Sequence, residues 1–435
     1  MKFIKNVSIT FGTRIFGIIF SRIVHIILAR MLGPAGKGVY TIATTVPSLL
    51  FSLGNLGLTS STAYFTSKKK YELRVIASTV LILGIIIGFI LAVGAIIIIN
   101  CISFEFLKGI SRLLLIMTIL VLPFDITRSY YSSILLGTNR IWSYNFVRIS
   151  EQINLLCLFL ILYLFSKNII LNAITSYLGA SIISNGITIA LVVLKTRIKL
   201  NLNYQFVKDG VTFGIKAYGE SVVSFFEKRT DIFVVNYFLT LRDVGFYSLG
   251  AGLGEALWYI PRSVATMLFP KIASLSPEEA GKFTPKVFRH VLLITIISAI
   301  CLGLLGKIII EVLYGKVFLP SLPLLWLFLP GAVAGGMNKL LISDLIGRGK
   351  PVFGLLSSTV SLISLLTFDI ILIPRIGVIG APISASLSYI LVSFVILMCY
   401  LNISGNHIFT LVRITYEDLA LYKNLIKNKL LKVRG

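Results

Sequence analysis

Long apolar runs separated by short polar turns dominate the chain. Twelve runs have approximate edges 7–29, 39–66, 75–100, 111–136, 142–165, 169–194, 211–238, 244–269, 287–314, 321–346, 352–373 and 377–402. Each is long enough to cross a bilayer core as a helix, which takes about 20 apolar residues. The turns between them are polar or rich in Gly and Pro, as in LGPAGKG, SKKKYELR, GTNR and GRGKPV. The longest connections, near 195–210 and 270–286, are too short to hold a soluble domain. The pattern predicts an all-α polytopic membrane protein with about 12 transmembrane helices. Lys2 and Lys5 imitate the start of a signal peptide. Arg14 and Arg22 interrupt the apolar run that follows, however, and no small-residue cleavage site comes after it, so 7–29 reads as a retained span.

Composition agrees with the pattern. The chain of 435 residues is 56% hydrophobic and 13% charged, with mean hydropathy +0.93. The formal net charge of +24 would suggest nucleic acid in a soluble chain. Here the basic residues divide between membrane and loops, and no nucleic-acid partner is expected. With the N-terminus inside, most loop Lys and Arg fall on the cytoplasmic side, including Lys68, Lys69, Lys70 and Arg74, the 195–208 stretch and the tail. This bias orients helices and places both termini in the cytoplasm of a cell-membrane protein. Residues 403–435 read as a basic amphipathic tail on the membrane surface. Cys101, Cys157, Cys301 and Cys399 are far apart and without ligand spacing, so no metal or structural disulfide is expected.

The two halves repeat one another. LGPAGKGVY (32–40) aligns with LTLRDVGFY (239–247), and LVLP (120–123) with LFLP (327–330), both at a shift of 207 residues. SILLGTNR (133–140) aligns with SDLIGRGK (343–350) at 210. The expected organisation is therefore an N-terminal six-helix lobe (1–194), a cytoplasmic linker (195–210), a C-terminal six-helix lobe (211–402) and the tail (403–435). An even number of spans per repeat implies pseudo-two-fold symmetry along the membrane normal, with the natural site in the cleft.

Charges inside spans are the candidate chemistry, because each is costly unless it faces protein or water. In the first span, at about 100° per residue, His25 lies ~20° and Arg22 ~80° from Arg14. These three form a cationic stripe suited to a hydrated, anion-accepting cavity, although pairing with acids on neighbouring helices is an alternative use. In the seventh span Lys216, Glu220, Glu227 and Asp231 share an arc of ~60°. Lys228 lies ~120° from Lys216, and Arg229 points away, as a side chain that snorkels. The acids Glu220, Glu227 and Asp231 are candidates for gating or for coupling to H+ or Na+; no other cofactor is expected. Lys216, Arg262 and Lys339 complete the cationic candidates. Asp125 with Arg128 and Arg148 with Glu151, both at i,i+3, read as local pairs, and Lys339 is grouped with Asp344 in span ten.

Three stretches resemble a known family. ARMLGPAGKGVY followed by GNLGLTSSTAYF resembles the start of bacterial polysaccharide flippases. KRTDIFVVNYFLTLRDVGFYSLGAGLGEALWYIPRSVATMLFPKIA (228–273) resembles their second-lobe signature, and IPRIGVIGAPISASLSYIL (373–391) their last span. The wider group is the multidrug/oligosaccharidyl-lipid/polysaccharide exporter superfamily. The resemblance implies two six-helix lobes, alternating access and no enzymatic activity. It also implies transfer of an undecaprenyl-diphosphate-linked oligosaccharide, of O-antigen, exopolysaccharide or teichoic-acid type, to the outer leaflet. The implied partners are the lipid-linked anionic glycan, membrane lipids, a polysaccharide polymerase and glycosyltransferases. Arg14 and Arg22 suit the diphosphate, since guanidinium matches phosphate geometry. A multidrug/cation antiporter of the same superfamily is the alternative, favoured by the acids of span seven. A membrane-embedded polymerase is a weaker one, because no long outside loop carries catalytic residues.

Overall fold

The computed structural model describes residues 2–196 and 200–413; the side chains of 1–16, 195, 216, 217 and 220 lie outside that description. Its helices are α1 (Lys2–Gly54), α2 (Leu58–Lys68), α3 (Leu73–Cys101), α4 (Arg112–Ile119), α5 (Leu122–Gly137), α6 (Ile141–Phe165), α7 (Ile169–Thr196) and α8 (Tyr204–Phe238). These are followed by α9 (Leu241–Gly254), α10 (Tyr259–Ala273), α11 (Pro277–Ile309), α12 (Ser321–Gly347), α13 (Val352–Ile376), α14 (Gly380–Ser404) and α15 (Ile408–Val412). Among the described residues there is no strand.

Among the described residues, eight helical stretches are long and apolar enough to cross a bilayer. Two of them, 17–54 and 352–404, each hold two of the expected spans. A straight helix of 38 residues would run about 57 Å, nearly twice a bilayer core of about 30 Å. α1 instead bends at Gly33, whose φ of 66° and ψ of 178° are not helical. The 352–404 stretch turns at Gly377–Ile379. The more polar α8, and α9 with α10, complete the twelve spans. Span two is interrupted at 55–57, where Leu56 and Gly57 take positive φ. Span four is interrupted between α4 and α5 just before Pro123, which cannot donate to the preceding turn.

By compactness the chain forms two units. The first is Met1–Ser248 with Ile309–Pro320; the second is Leu249–Ile308 with the chain from Ser321 onward. This boundary lies beyond the expected linker. Tyr204–Phe238 is one helix that packs on α1, α2 and the turn Glu105–Leu107, so the seventh span joins the first unit. The anticipated linker is itself partly helical, since α7 extends to Thr196 and α8 starts at Tyr204, where the Asn203 side chain accepts from the Phe206 amide. Most of the expected tail lies outside the described residues.

Two close crossings hold α8 and α9 in the first unit. A Cβ on Gly57 would lie 2.4 Å from the Gly214 carbonyl carbon, and one on Gly214 would lie 2.6 Å from the Gly57 oxygen. Only paired glycines permit that approach. The second crossing is reciprocal. A Cβ on Gly38 would fall 1.7 Å from the Leu241 oxygen, and one on Gly245 1.9 Å from the Pro34 oxygen. Gly38 and Gly245, like Pro34 and Leu241, are 207 positions apart, so each repeat presents the same residue to the same place on the other. Reciprocal contact of this kind is what a two-fold relation produces. The ends of α5 and α12 repeat as well. Asn139 and Gly349 both take positive φ, and the next amides, of Arg140 and Lys350, bond back to Leu135 and Leu345.

The first unit's core centres on the fully buried Tyr130 and Tyr131 of α5 with Leu58, Phe65, Ile76 and Phe206. Their hydroxyls donate to the Asn55 and Ala77 carbonyls, so the bulky rings leave no unmet donor. The second unit's core gathers Leu268, Phe288, Leu340, Ile396 and Tyr400.

Candidate functional site

The first unit encloses a polar cavity of about 780 Å³. Its walls come from both sides of the break in span two and from α5, α6 and α8. The α1 end supplies Ser48, Phe51 and Ser52, and the break itself supplies Asn55 and Gly57. Because the helix stops at Gly54, Asn55 Oδ1 is available to accept from Thr59, whose hydroxyl lies 3.1 Å from that of Ser129 on α5. The Gly57–Gly214 contact brings α8 against this break, and the Tyr218 hydroxyl donates to the Leu53 carbonyl. Small residues thus create the cavity by letting backbones meet beside it.

The lining is cationic and rich in hydroxyls. Ser48, Ser52, Ser60, Ser129, Ser132, Ser221 and Ser224 face it, as do Arg128, Arg148, Lys228, Arg229 and one acid, Asp125. Arg128 is held by two carboxylates: its Nη2 donates to Asp125 at 3.0 Å and its Nη1 to Glu151 at 2.6 Å. Lys228 donates to Ser224. Arg148 and Arg229 are exposed, and among the described residues neither forms an ion pair. Such a surface can bind an anion through two guanidinium groups and a polyol through serine hydroxyls.

Geometry changes several residue assignments. Asp125 and Arg128 pair as expected, but Glu151 turns to Arg128 rather than to Arg148, which is left facing the cavity. Arg229 does not snorkel away; it lines the cavity with Lys228. The lining residues of α8 span an arc of ~140° centred ~150° from Lys216, a direction ~110° from the centre of the acidic stripe. The i,i+4 spacing of Tyr144 and Arg148, and of Phe225 and Arg229, was the available signal for these walls. Charges buried within the spans do not carry that signal by themselves, because each wall mixes one charge with an aromatic ring.

The remaining candidates lie elsewhere. Arg22 and His25 sit on the part of α1 before its bend, both within electrostatic range of Lys37, and His25 also within range of Arg229. Neither Arg22 nor His25 is among the residues lining the cavity. The side chains of Arg14, Lys216 and Glu220 lie outside the described residues. Glu227 is half-buried on α8, and Asp231 accepts from Tyr247 at 2.5 Å, tying α8 to α9. In the second unit, Lys339 Nζ stands 4.2 Å from the Trp258 ring centroid, with the Arg262 guanidinium 5.9 Å from the same ring. Asp344 is fully buried and pairs with Arg348 at 2.6 Å while accepting from Thr284 at 2.6 Å; this is a structural pin, and its partner is not Lys339. Among the described residues no cluster of His, Cys, Asp and Glu has the makings of a metal site.

Residues 27–323 match the family model described as polysaccharide biosynthesis protein. The chain belongs to this family. A candidate O-antigen transporter of Shigella flexneri is 24% identical over 381 residues, spanning 84% of this chain and 89% of the relative. Among solved structures, the lipid II flippase MurJ in an inward closed conformation matches with a TM-score of 0.76 at 19% identity, over 90% of this chain and 89% of that one. An inward-facing multidrug resistance MATE family transporter of the MOP superfamily matches at 0.68 and 14% identity, over 89% and 94%. At such identities the structures speak for the fold, the twelve-span, two-lobe fold of that superfamily. The family and its relatives are membrane transporters rather than enzymes, in line with the resemblance of the three sequence stretches.

Proposed function

We propose that this member of the polysaccharide biosynthesis family moves a polyprenyl-diphosphate-linked oligosaccharide from the cytoplasmic to the outer leaflet by alternating access. One observation carries the reading: the first unit's cavity combines Arg148 and Arg229 with a wall of serine hydroxyls. A diphosphate is held best by planar guanidinium forks, and sugar hydroxyls exchange hydrogen bonds with serines as readily as with water. The prenyl chain stays in lipid, so only the polar head needs this hydrated path. Arg22 extends the positive field along α1, and Arg262 and Lys339 add cations in the second unit. The termini lie on the cytoplasmic side, as the loop charges require.

Export of an organic cation fits less well, because four basic groups against Asp125 would repel it. The test is a leaflet-resolved assay of the lipid-linked oligosaccharide in cells carrying Arg148→Ala with Arg229→Ala. Accumulation of substrate in the cytoplasmic leaflet at normal protein levels is expected. Unimpaired transfer by the double variant would end the reading.

A further inference from the structure

The second unit carries a surface that the transport reading does not use, at the end that the loop charges assign to the cytoplasm. α11 begins there. Its start is capped reciprocally, the Ser276 amide donating to Glu279 at 3.0 Å and the Glu279 amide to the Ser276 hydroxyl at 3.3 Å. A little further along, the neighbouring spans end beside it. Thr284 donates to Asp344 near the end of α12, and Asn406, just past the end of α14, donates to the Gly281 carbonyl at 2.9 Å. Residues 281–289 therefore lie at the level of the bilayer surface. α15 packs against this part of α11: Arg289 Nη1 donates to the Thr410 carbonyl at 2.6 Å, and Leu411 is fully buried in the second unit's core. Its other apolar side chains turn outward, with Phe409 77% exposed, Val412 55% and Ile408 43%. A short helix with such an outer side, level with the ends of the spans, is laid out for the headgroup boundary of the bilayer rather than for water.

Cations adjoin that outer side. At about 100° per residue, Lys282, Lys286 and Arg289 share an arc of ~60° on α11. The two lysines therefore lie on the face that Arg289 turns to α15. Lys271, in the last turn of α10, stands 6.0 Å from the Phe283 ring centroid and joins them from the side. The acids Glu278 and Glu279 occupy the first turn of α11, further from the membrane, and Glu279 is engaged in the cap. We propose that Lys271, Lys282 and Lys286, with the outer side of α15, form a binding site for an anionic phospholipid of the cytoplasmic leaflet. The phosphodiester lies against the ammonium groups, and the acyl chains begin beside Phe409 and Val412. Each ammonium close to an anionic lipid surface strengthens attachment by about fivefold. A soluble polyanion would meet the lysines but leave Ile408, Phe409 and Val412 in water, so a lipid is the occupant that satisfies both halves of the surface. Through Arg289 and Asn406 the bound lipid steadies the start of α11.

The site is independent of what the protein transports, and its test needs no transport assay. The purified full chain is placed in phosphatidylcholine nanodiscs that carry a small, equal fraction of photoactivatable phosphatidylglycerol or photoactivatable phosphatidylcholine. The two probes have the same acyl chains and a reactive group near the headgroup, and mass spectrometry locates the labelled residues. Phosphatidylglycerol is expected to label 278–290 and 405–413 about tenfold more strongly than phosphatidylcholine does. Lys282→Gln with Lys286→Gln should bring that preference down to about twofold, with labelling elsewhere on the chain unchanged as the control for folding. Phe409→Ser should weaken labelling of 405–413 by both lipids. Equal labelling by the two lipids, or a preference that survives the double variant, overturns the proposal. So does a preference abolished by an excess of glycerol 3-phosphate, which would mark a site for a soluble anion instead.

Discussion

The same positions in the two repeats carry different chemistry. In the first unit Phe51, Ser52 and Asn55 line the cavity, and at a shift of 207 their counterparts are Trp258, Tyr259 and Arg262. Counted from Pro123 and Pro330, Ser132 of the cavity corresponds to Lys339. The phenyl, hydroxyl and amide groups that line the cavity in one repeat are replaced by indole, phenol and cations at the matching positions of the other. In the second unit those cations lean on the Trp258 ring, whose Nε1 donates to the Ala332 carbonyl at 2.8 Å. Duplication preserved backbone turns and glycine crossings, which packing enforces, and left the side chains lining the path free to diverge.

The two arginine–carboxylate groups make the same point. Arg348 with Asp344 is sealed at the end of α12, whereas Arg128 with Asp125 and Glu151 is open to a cavity. Breaking the sealed pair should have the larger effect on folding. Asp344→Ala leaves the Arg348 charge without its carboxylate, and a loss of about 3 kcal/mol is expected in unfolding of the full chain in detergent. A loss no greater than that of Asp125→Ala would erase the distinction between pin and working site.

Packing of the first unit supplies the next effect. Gly57→Ala meets the Gly214 backbone and needs a positive φ, so about 2 kcal/mol of destabilisation is expected. Gly94→Ala, with open space around it, serves as the control in the same thermal-shift assay. Equal melting points for the two variants would remove the crossing as the element that positions α8.

The diverged walls are compared most directly by Arg262→Ala with Lys339→Ala. If the second repeat contributes cations to the path, transfer of lipid-linked oligosaccharide should fall by about tenfold, or about 1.4 kcal/mol. A shift in Trp258 fluorescence with transfer unchanged would limit these cations to shielding the indole.

The smallest effect is expected at the start of α8, outside the membrane. Hydrogen bonds from Lys70 and Tyr71 hold the Asp209 carboxyl below its usual range, and the same contact raises the Lys70 ammonium. A depressed carboxyl stabilises above its unfolded value, about 3.9, and that contribution is lost as pH falls through the folded value. Protection of the 204–212 amides, taken relative to their intrinsic exchange rates at each pH, should therefore fall in strongly acidic buffer and, at neutral pH, in Asp209→Asn. Exchange indifferent to both changes would show that α8 is held by its glycine crossings alone.

Twelve spans and a duplicated architecture were legible in the sequence because hydrocarbon forces long apolar helices, and because turns such as LGPAGKG and GTNR need particular residues. That charged groups sit within the spans was equally legible. Which way they point was not. Periodicity gives the face of each helix but not the neighbour it meets. The tertiary structure decided that Arg229 faces the cavity, that Glu151 answers Arg128 rather than Arg148, and that α8 packs with the first unit. These outcomes depend on the bend at Gly33, the break at 55–57 and the meeting of Gly57 with Gly214. They turn on close contacts between residues distant in the chain, which no local pattern encodes.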